Sequence, residues 1–256
     1  MREQGPFLQL YQERHIILKI IISPSKTQNL ACQPKVNNKP LFNEKKSQQL
    51  RQVIKKLKKE ELAILFKIKD KLLEETYKLY HDKAIMNQRY DPIGFYDGVV
   101  YEQLCLRNHN NKNRQYLEQK LVILSAMFGI LEPGMSMWSY RLDFKTKPGG
   151  INLYEYWQKD ILEYFNQEST IINLASTEFS TILKPIREKV INIHFLEADG
   201  RVLSYQAKKA RGQMADAMVE LEIEETEDLK KITIDDYVYN QEKSDDRNYY
   251  YQKGRK

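Results

Sequence analysis

Residues 205–212, Tyr-Gln-Ala-Lys-Lys-Ala-Arg-Gly, pack three cations between a short apolar run and a segment of helical spacing. Val202-Leu203-Ser204-Tyr205 reads as a strand, and Met214, Ala217, Met218 and Leu221 recur at the period of a helix. The pattern predicts a strand-to-helix turn, with Lys208, Lys209 and Arg211 just ahead of the helix N-terminus. Unpaired backbone N–H groups, the positive end of the helix dipole and three side-chain charges at such a turn favour a phosphate. The competing reading is a solvated basic loop, because runs of charge commonly face water.

A second cluster, Ser23-Pro24-Ser25-Lys26-Thr27, follows the β-branched run Ile20-Ile21-Ile22, so a buried strand empties into a loop of three hydroxyls and one ammonium. Ligands of open α/β sheets lie beyond the carboxyl ends of strands, and these donors suit a phosphate. The glycines of a phosphate-binding Walker loop are missing. The plainer alternative is that Ser23 or Thr27 caps the next segment. A third cluster spans residues 124–133 and continues in Tyr140-Arg141-Leu142-Asp143; a fourth spans residues 171–179 and closes at Lys184-Pro185.

Ser23, Lys26, Thr27, Arg141, Asn173, Ser176, Glu178, Lys208, Lys209 and Arg211 are the residues that a cleft could gather. Cations would hold a phosphate, Asn173 would offer a donor and an acceptor to a base edge, and Glu178 is the candidate general base. The alternative is a satisfied polar cluster that orders loops. No Gly-x-Ser-x-Gly elbow and no Cys-x-x-Cys is present, and His15, His81, His109 and His194 are scattered without ligand spacing, so neither a metal site nor a cofactor is expected.

The four clusters also carry a resemblance. Ser23-Pro24-Ser25-Lys26-Thr27, Tyr96-Asp97-Gly98 with Val100-Tyr101, Leu124-Ser125 with Phe128-Gly129, and Tyr140-Arg141-Leu142 occur in the order of the YaaA family of peroxide stress proteins. Leu153-Tyr154 with Trp157, Asn173-Leu174-Ala175-Ser176 with Glu178, and Lys208-Lys209-Ala210-Arg211-Gly212 with Met214 continue it. The chain is identified from these seven elements as resembling that family from about residue 18 onward. Gln103, Glu132 and Met135 depart from it, standing where the family usually has Gly, Arg and Asp; Glu132 reverses a charge. The resemblance implies a cytoplasmic response to hydrogen peroxide that keeps unincorporated iron low, limits oxidative damage to DNA and proteins, and is linked to DNA binding.

The elements that must position these residues follow from pattern. At 256 residues, with sparse Pro and Gly, no linker and no repeat, one domain over residues 18–256 is expected, preceded by an extension of unknown role at residues 1–17. The expected fold is α+β, or mixed α/β: a mixed sheet flanked by helices, with a positively charged cleft. Leu50, Val53, Ile54 and Leu57, then Leu62, Leu65, Phe66 and Leu72, follow helical spacing among many lysines, predicting a basic helical hairpin before residue 82. The family's corresponding region is likened to a helix-hairpin-helix DNA-binding element, but the Gly-x-Gly turn is absent; the stripe reads equally as the core side of two helices.

The run Ile16-Ile17-Leu18-Lys19-Ile20-Ile21-Ile22 is too short to cross a bilayer, no signal peptide is recognisable, and only Cys32 and Cys105 occur, so a cytoplasmic protein without membrane association is expected. Residues 220–246 hold 11 acids against three lysines, net −8, and a total of +6 then leaves +14 on the remainder. Such a basic body points to a polyanion, here duplex DNA read with little sequence preference, with a nucleotide or phosphate as a further ligand class. The reading from sequence is a DNA-binding peroxide-stress protein that helps limit iron-dependent damage. The alternatives are an enzyme acting on a nucleotide or nucleobase in the same cleft and, less favoured, a scaffold that binds a partner through its acidic segment.

Overall fold

Leu18-Lys19-Ile20-Ile21-Ile22 forms a strand whose apolar side chains are buried on both faces, as a central strand of a parallel sheet requires. The computed structural model describes residues 18–34, 39–104, 111–168 and 170–254; the extension at residues 1–17, with His15, and the positions Cys105 and His109 lie outside them. In chain order the elements are β1 (Leu18–Ile22), β2 (Thr27–Gln28), α1 (Glu44–Lys55), α2 (Lys59–Phe66), α3 (Asp70–His81), α4 (Lys83–Asn87), α5 (Pro92–Phe95), β3 (Tyr96–Asp97), α6 (Val99–Glu102) and α7 (Asn111–Lys120). They continue as β4 (Leu121–Ser125), β5 (Gly129–Leu131), α8 (Leu153–Tyr164), β6 (Thr170–Asn173), α9 (Thr177–Ser180) with a 3-10 segment at Thr181–Lys189, β7 (Val190–Leu196), α10 (Ser204–Glu220), α11 (Thr226–Leu229), β8 (Tyr237–Tyr239) and β9 (Asn248–Lys253).

The main sheet has seven strands in the order β5-β4-β1-β6-β7-β9-β8. Its five inner strands run parallel and the two edges, β5 and β8, are antiparallel, so the mixed sheet expected from sequence is present. β1 lies between β4 and β6, paired to both in parallel. The chain leaves β1 for one neighbour and later returns to the other, which makes β1 a switch point, and the crevice beyond its carboxyl end is where open sheets hold ligands. Thr27 and Gln28 pair across to Asp97 and Tyr96 in a separate two-stranded ribbon that folds over that end.

The expected helical region is present as α1, α2 and α3, which bury Leu50, Ile54, Leu62 and Tyr80 in the hydrophobic core. Arg51 enters the core with them: it is 4% exposed, donates Nη2 to the Met86 carbonyl at 2.8 Å and lies over the Trp138 ring at 4.8 Å. Burial is the main reason its guanidinium is held down at about 10.

One expectation from sequence is corrected here. Residues 202–205 are not a strand, and the helix does not begin at Gly212: α10 runs from Ser204, so Lys208, Lys209 and Arg211 lie within it rather than ahead of it. Val202 and Leu203 are 59% and 46% exposed, unlike a core strand. The physical reason is that Gln, Ala, Lys and Arg between 206 and 211 are all strong helix formers. Gly212 serves packing instead of helix initiation. A Cβ there would stand 2.4 Å from the Val100 carbonyl of α6, so only glycine allows the two helices to meet at this depth.

Candidate functional site

The loop that leaves β1 is tied to the loop that leaves β6. Ser23 Oγ accepts the Ser176 backbone N–H at 2.8 Å and donates to Ser176 Oγ at 3.3 Å, while Tyr101 donates its hydroxyl to the Ser23 carbonyl at 2.9 Å. Backbone pairing continues past the strands, with Leu174 N–H donating to Ile21 O at 2.9 Å. On the other rim, Gly98 adopts φ +112° with its Cα turned to Ser25, where a Cβ would crowd Ser25 Oγ at 3.0 Å. These contacts fix two strand-end loops and the start of α6 around one concavity.

That concavity is a cleft of about 420 Å³. Ser23, Lys26, Thr27, Ser176, Glu178, Lys208 and Arg211 line it, so seven of the ten residues named from sequence come together. Lys208 and Arg211, three apart on α10, share the helix face that looks into it. Arg211 has no ion pair among the described residues, its Nε is buried without a hydrogen-bond partner, and burial lowers its pKa from the ordinary guanidinium value. Glu178 Oε1 is likewise buried without a partner in the same cleft. Lys26, by contrast, is paired at 2.7 Å with Asp143, which also lines the cleft.

The other three residues are placed elsewhere. Arg141 lines a side pocket of about 50 Å³ that shares Lys26, Asp143 and Phe179 with the cleft. Lys209, one position on from Lys208, points off the cleft face and pairs with Asp235 at 2.9 Å. Asn173 belongs to a different concavity across the β6–α9 loop; it donates to Asn192 Oδ1 at 2.8 Å and accepts the Ala175 N–H at 3.0 Å. The reason is alternation: at a strand end successive side chains leave on opposite sides, so Asn173 and Ser176 cannot both be read from adjacency alone.

Sequence reasoning missed Ser25, Asp143 and the stretch from Gly98 to Tyr101 as parts of the wall, although each falls in a motif already singled out. Ser125 proves to be core: its Oγ accepts the Met127 and Phe128 N–H groups and bonds the Tyr140 hydroxyl at 2.8 Å, and burial pushes that phenol up to about 12. Glu132, the charge-reversed position, pairs with Lys39 at 2.7 Å and accepts the Tyr164 hydroxyl, and it is not among the residues lining the cleft. Among the described residues no cluster of three or more His, Cys, Asp and Glu could hold a metal ion, and no helix is long and apolar enough to cross a membrane.

A seven-stranded mixed sheet flanked by helices, with a hydroxyl-lined, cation-rimmed cleft at its switch point, places the chain among the open-sheet α/β proteins. The family follows from comparison of sequences: a profile described as peroxide stress protein YaaA matches residues 18–243, and the chain belongs to that family. It is 37% identical over 236 residues to a UPF0246 protein of Finegoldia magna, covering 89% of this chain and 95% of that protein. A UPF0246 protein of Fusobacterium nucleatum is 32% identical over 245 residues, covering 91% and 97%, and one of Agathobacter rectalis is 31% identical over 247 residues, covering 92% and 99%.

Proposed function

We propose that the cleft holds the phosphodiester backbone of duplex DNA, with little preference for sequence, and that the protein acts in the cytoplasm during peroxide stress to limit iron-dependent damage to that DNA. The observation that carries this reading is Arg211: a half-buried guanidinium, unanswered by any carboxylate among the described residues, beside Lys208 and the hydroxyls of Ser23 and Ser176. Leaving a cation so placed is costly unless an anion completes it. The family's description supplies the peroxide context.

Each phosphate neutralised contributes about 0.9 to the slope of log K against log salt, so Lys208→Ala/Arg211→Ala should flatten that slope by about 1.8. Fluorescence anisotropy with a labelled duplex over a salt series measures it, and an unchanged slope removes the cleft from the interface. A second reading, an enzyme acting on a nucleotide or nucleobase, is favoured by Glu178, whose buried and unpartnered Oε1 has the setting of a general base. Under that reading Glu178→Gln abolishes peroxide protection in a deletion strain while leaving DNA affinity intact. Full protection by the variant returns the cleft to a holding role.

A further inference from the structure

Asn173 lies on the far side of the short ridge formed by the β6–α9 loop. Ser176 and Glu178 face the cleft, whereas Asn173, Thr177 and Ser180 face a groove of about 320 Å³. The floor of this groove is a row of amides: Asn173 Nδ2 donates to Asn192 Oδ1 at 2.8 Å, and Asn192 Nδ2 reaches Asn248 Oδ1 at 3.4 Å. One N–H of Asn173 remains for a ligand, since its amide carries two. Its rim is cationic. Lys184, Arg187 and Arg247 line it, are exposed, and make no ion pair among the described residues.

Asp245, two residues before Arg247, does not cancel that charge at the rim. Asp245 accepts the backbone N–H groups of Arg247 at 2.8 Å and Asn248 at 2.7 Å, and both its oxygens accept from Asn248 Nδ2 at 3.1 Å, so it is turned into its own loop. Elsewhere on the surface lysines commonly meet an acid, as Lys120 meets Glu224 at 2.6 Å and Lys231 meets Asp228 at 2.7 Å. Three unanswered cations around an amide floor are a different arrangement.

We propose that this groove is a second anion-binding stretch, and that one nucleic-acid backbone crosses the ridge from the cleft into it. The inference rests on the reading of the cleft given above. Its chemistry is that of a chain of phosphodiesters, because the groove is open, its cations are on flexible stems, and each contact is weak alone but gains from being linked to the next. The remaining N–H of Asn173 supplies a neutral donor to a phosphate or sugar oxygen between the charges, whereas the Asn192 amide is held by Asn248 Oδ1 and the Arg247 carbonyl.

Anisotropy titrations with labelled duplexes of increasing length test it, comparing Lys184→Gln/Arg187→Gln/Arg247→Gln with Lys208→Gln/Arg211→Gln, and using Lys184→Arg/Arg187→Lys/Arg247→Lys as a charge-keeping control. The groove variant is expected to lose about 2.7 from the salt slope on long duplexes, and to match the unsubstituted protein on the shortest duplex that still binds. The control keeps the full slope, and thermal melts report the fold of all three. If the groove variant binds every length as the unsubstituted protein does while the cleft variant loses slope, the inference fails and the cleft reading stands. If the cleft variant also keeps its slope, the cleft reading fails with it. Loss in the groove variant without loss in the cleft variant overturns the shared strand.

Discussion

The helical region α1–α3 and the cleft are both rich in cations, and they differ in where those cations point. In the helices Lys59 pairs with Glu74, Lys71 lies 3.7 Å from Glu75 and Lys46 pairs with Asp160, while other lysines such as Lys56 and Lys58 are exposed at a helix end. Arg51 is spent on the core. In the cleft Lys208 and Arg211 look into one concavity from one helix face, opposite a loop of hydroxyls. A basic composition therefore says little until the partner of each charge is known; convergence on a cavity is the stronger sign of a ligand.

The largest effect that sharpens this contrast is on stability. Arg51→Ala removes a buried side chain, its bond to Met86 O and its contact with Trp138, and should cost about 3 kcal/mol in denaturant unfolding. The salt slope of DNA binding should stay unchanged. Arg51→Met keeps the volume without burying a charge and should recover most of the loss. A lost slope in Arg51→Ala, with the fold intact, would make the helical region part of the interface.

Next in size is a difference in binding. Lys55→Ala/Lys56→Ala/Lys58→Ala removes three charges from the helical region, against two in the cleft variant, yet should change the salt slope by less than about one, since these lysines act only as distant charge. A fall of about 2.7 in the same anisotropy assay would reverse the comparison and assign the DNA to the helices.

The smallest effect separates two neighbours on α10. Lys209→Ala should leave the salt slope unchanged and cost under about 1 kcal/mol of stability, the range of an exposed ion pair. Its pH dependence has a definite sign. The hydrogen bond from Lys209 is the main cause that lowers the Asp235 carboxyl, so the pair stabilises the fold above the unfolded carboxyl range and that increment is lost as pH falls through the folded value. Melting curves of Lys209→Ala should therefore approach those of the unsubstituted protein in acid. A gap that persists there would mean that Lys209 acts through packing.

Much of the site was legible in the sequence because it is local. A β-branched run ending in Ser-Pro-Ser-Lys-Thr is a strand end whatever surrounds it, and the apolar spacing from Leu50 onward fixes helices that the structure contains. What stayed hidden is what one element does to another. Gly212 reads as a helix boundary until the backbone of α6 is seen against it. Lys209 reads like Lys208 until the helix rotates it by about 100° toward Asp235, and only the spacing of 208 and 211 hinted at the division. Asn173 reads like Ser176 until the pleat sends it across the ridge.

The contact at Gly212 has a consequence for dimensions. One wall of the cleft, with Lys208 and Arg211, is carried by α10; Gly98 to Tyr101, which also line it, belong to α6 and the turn before it, and the two helices abut where residue 212 has no side chain. The aperture is set by a hard stop of backbone on backbone, which has no rotamer to give. A single methyl added at that point would make a better helix of α10, by about 1 kcal/mol in propensity, and at the same time jack the two walls apart. The calibre of the opening and the regularity of the helix that carries its charges are thus traded against each other at one atom.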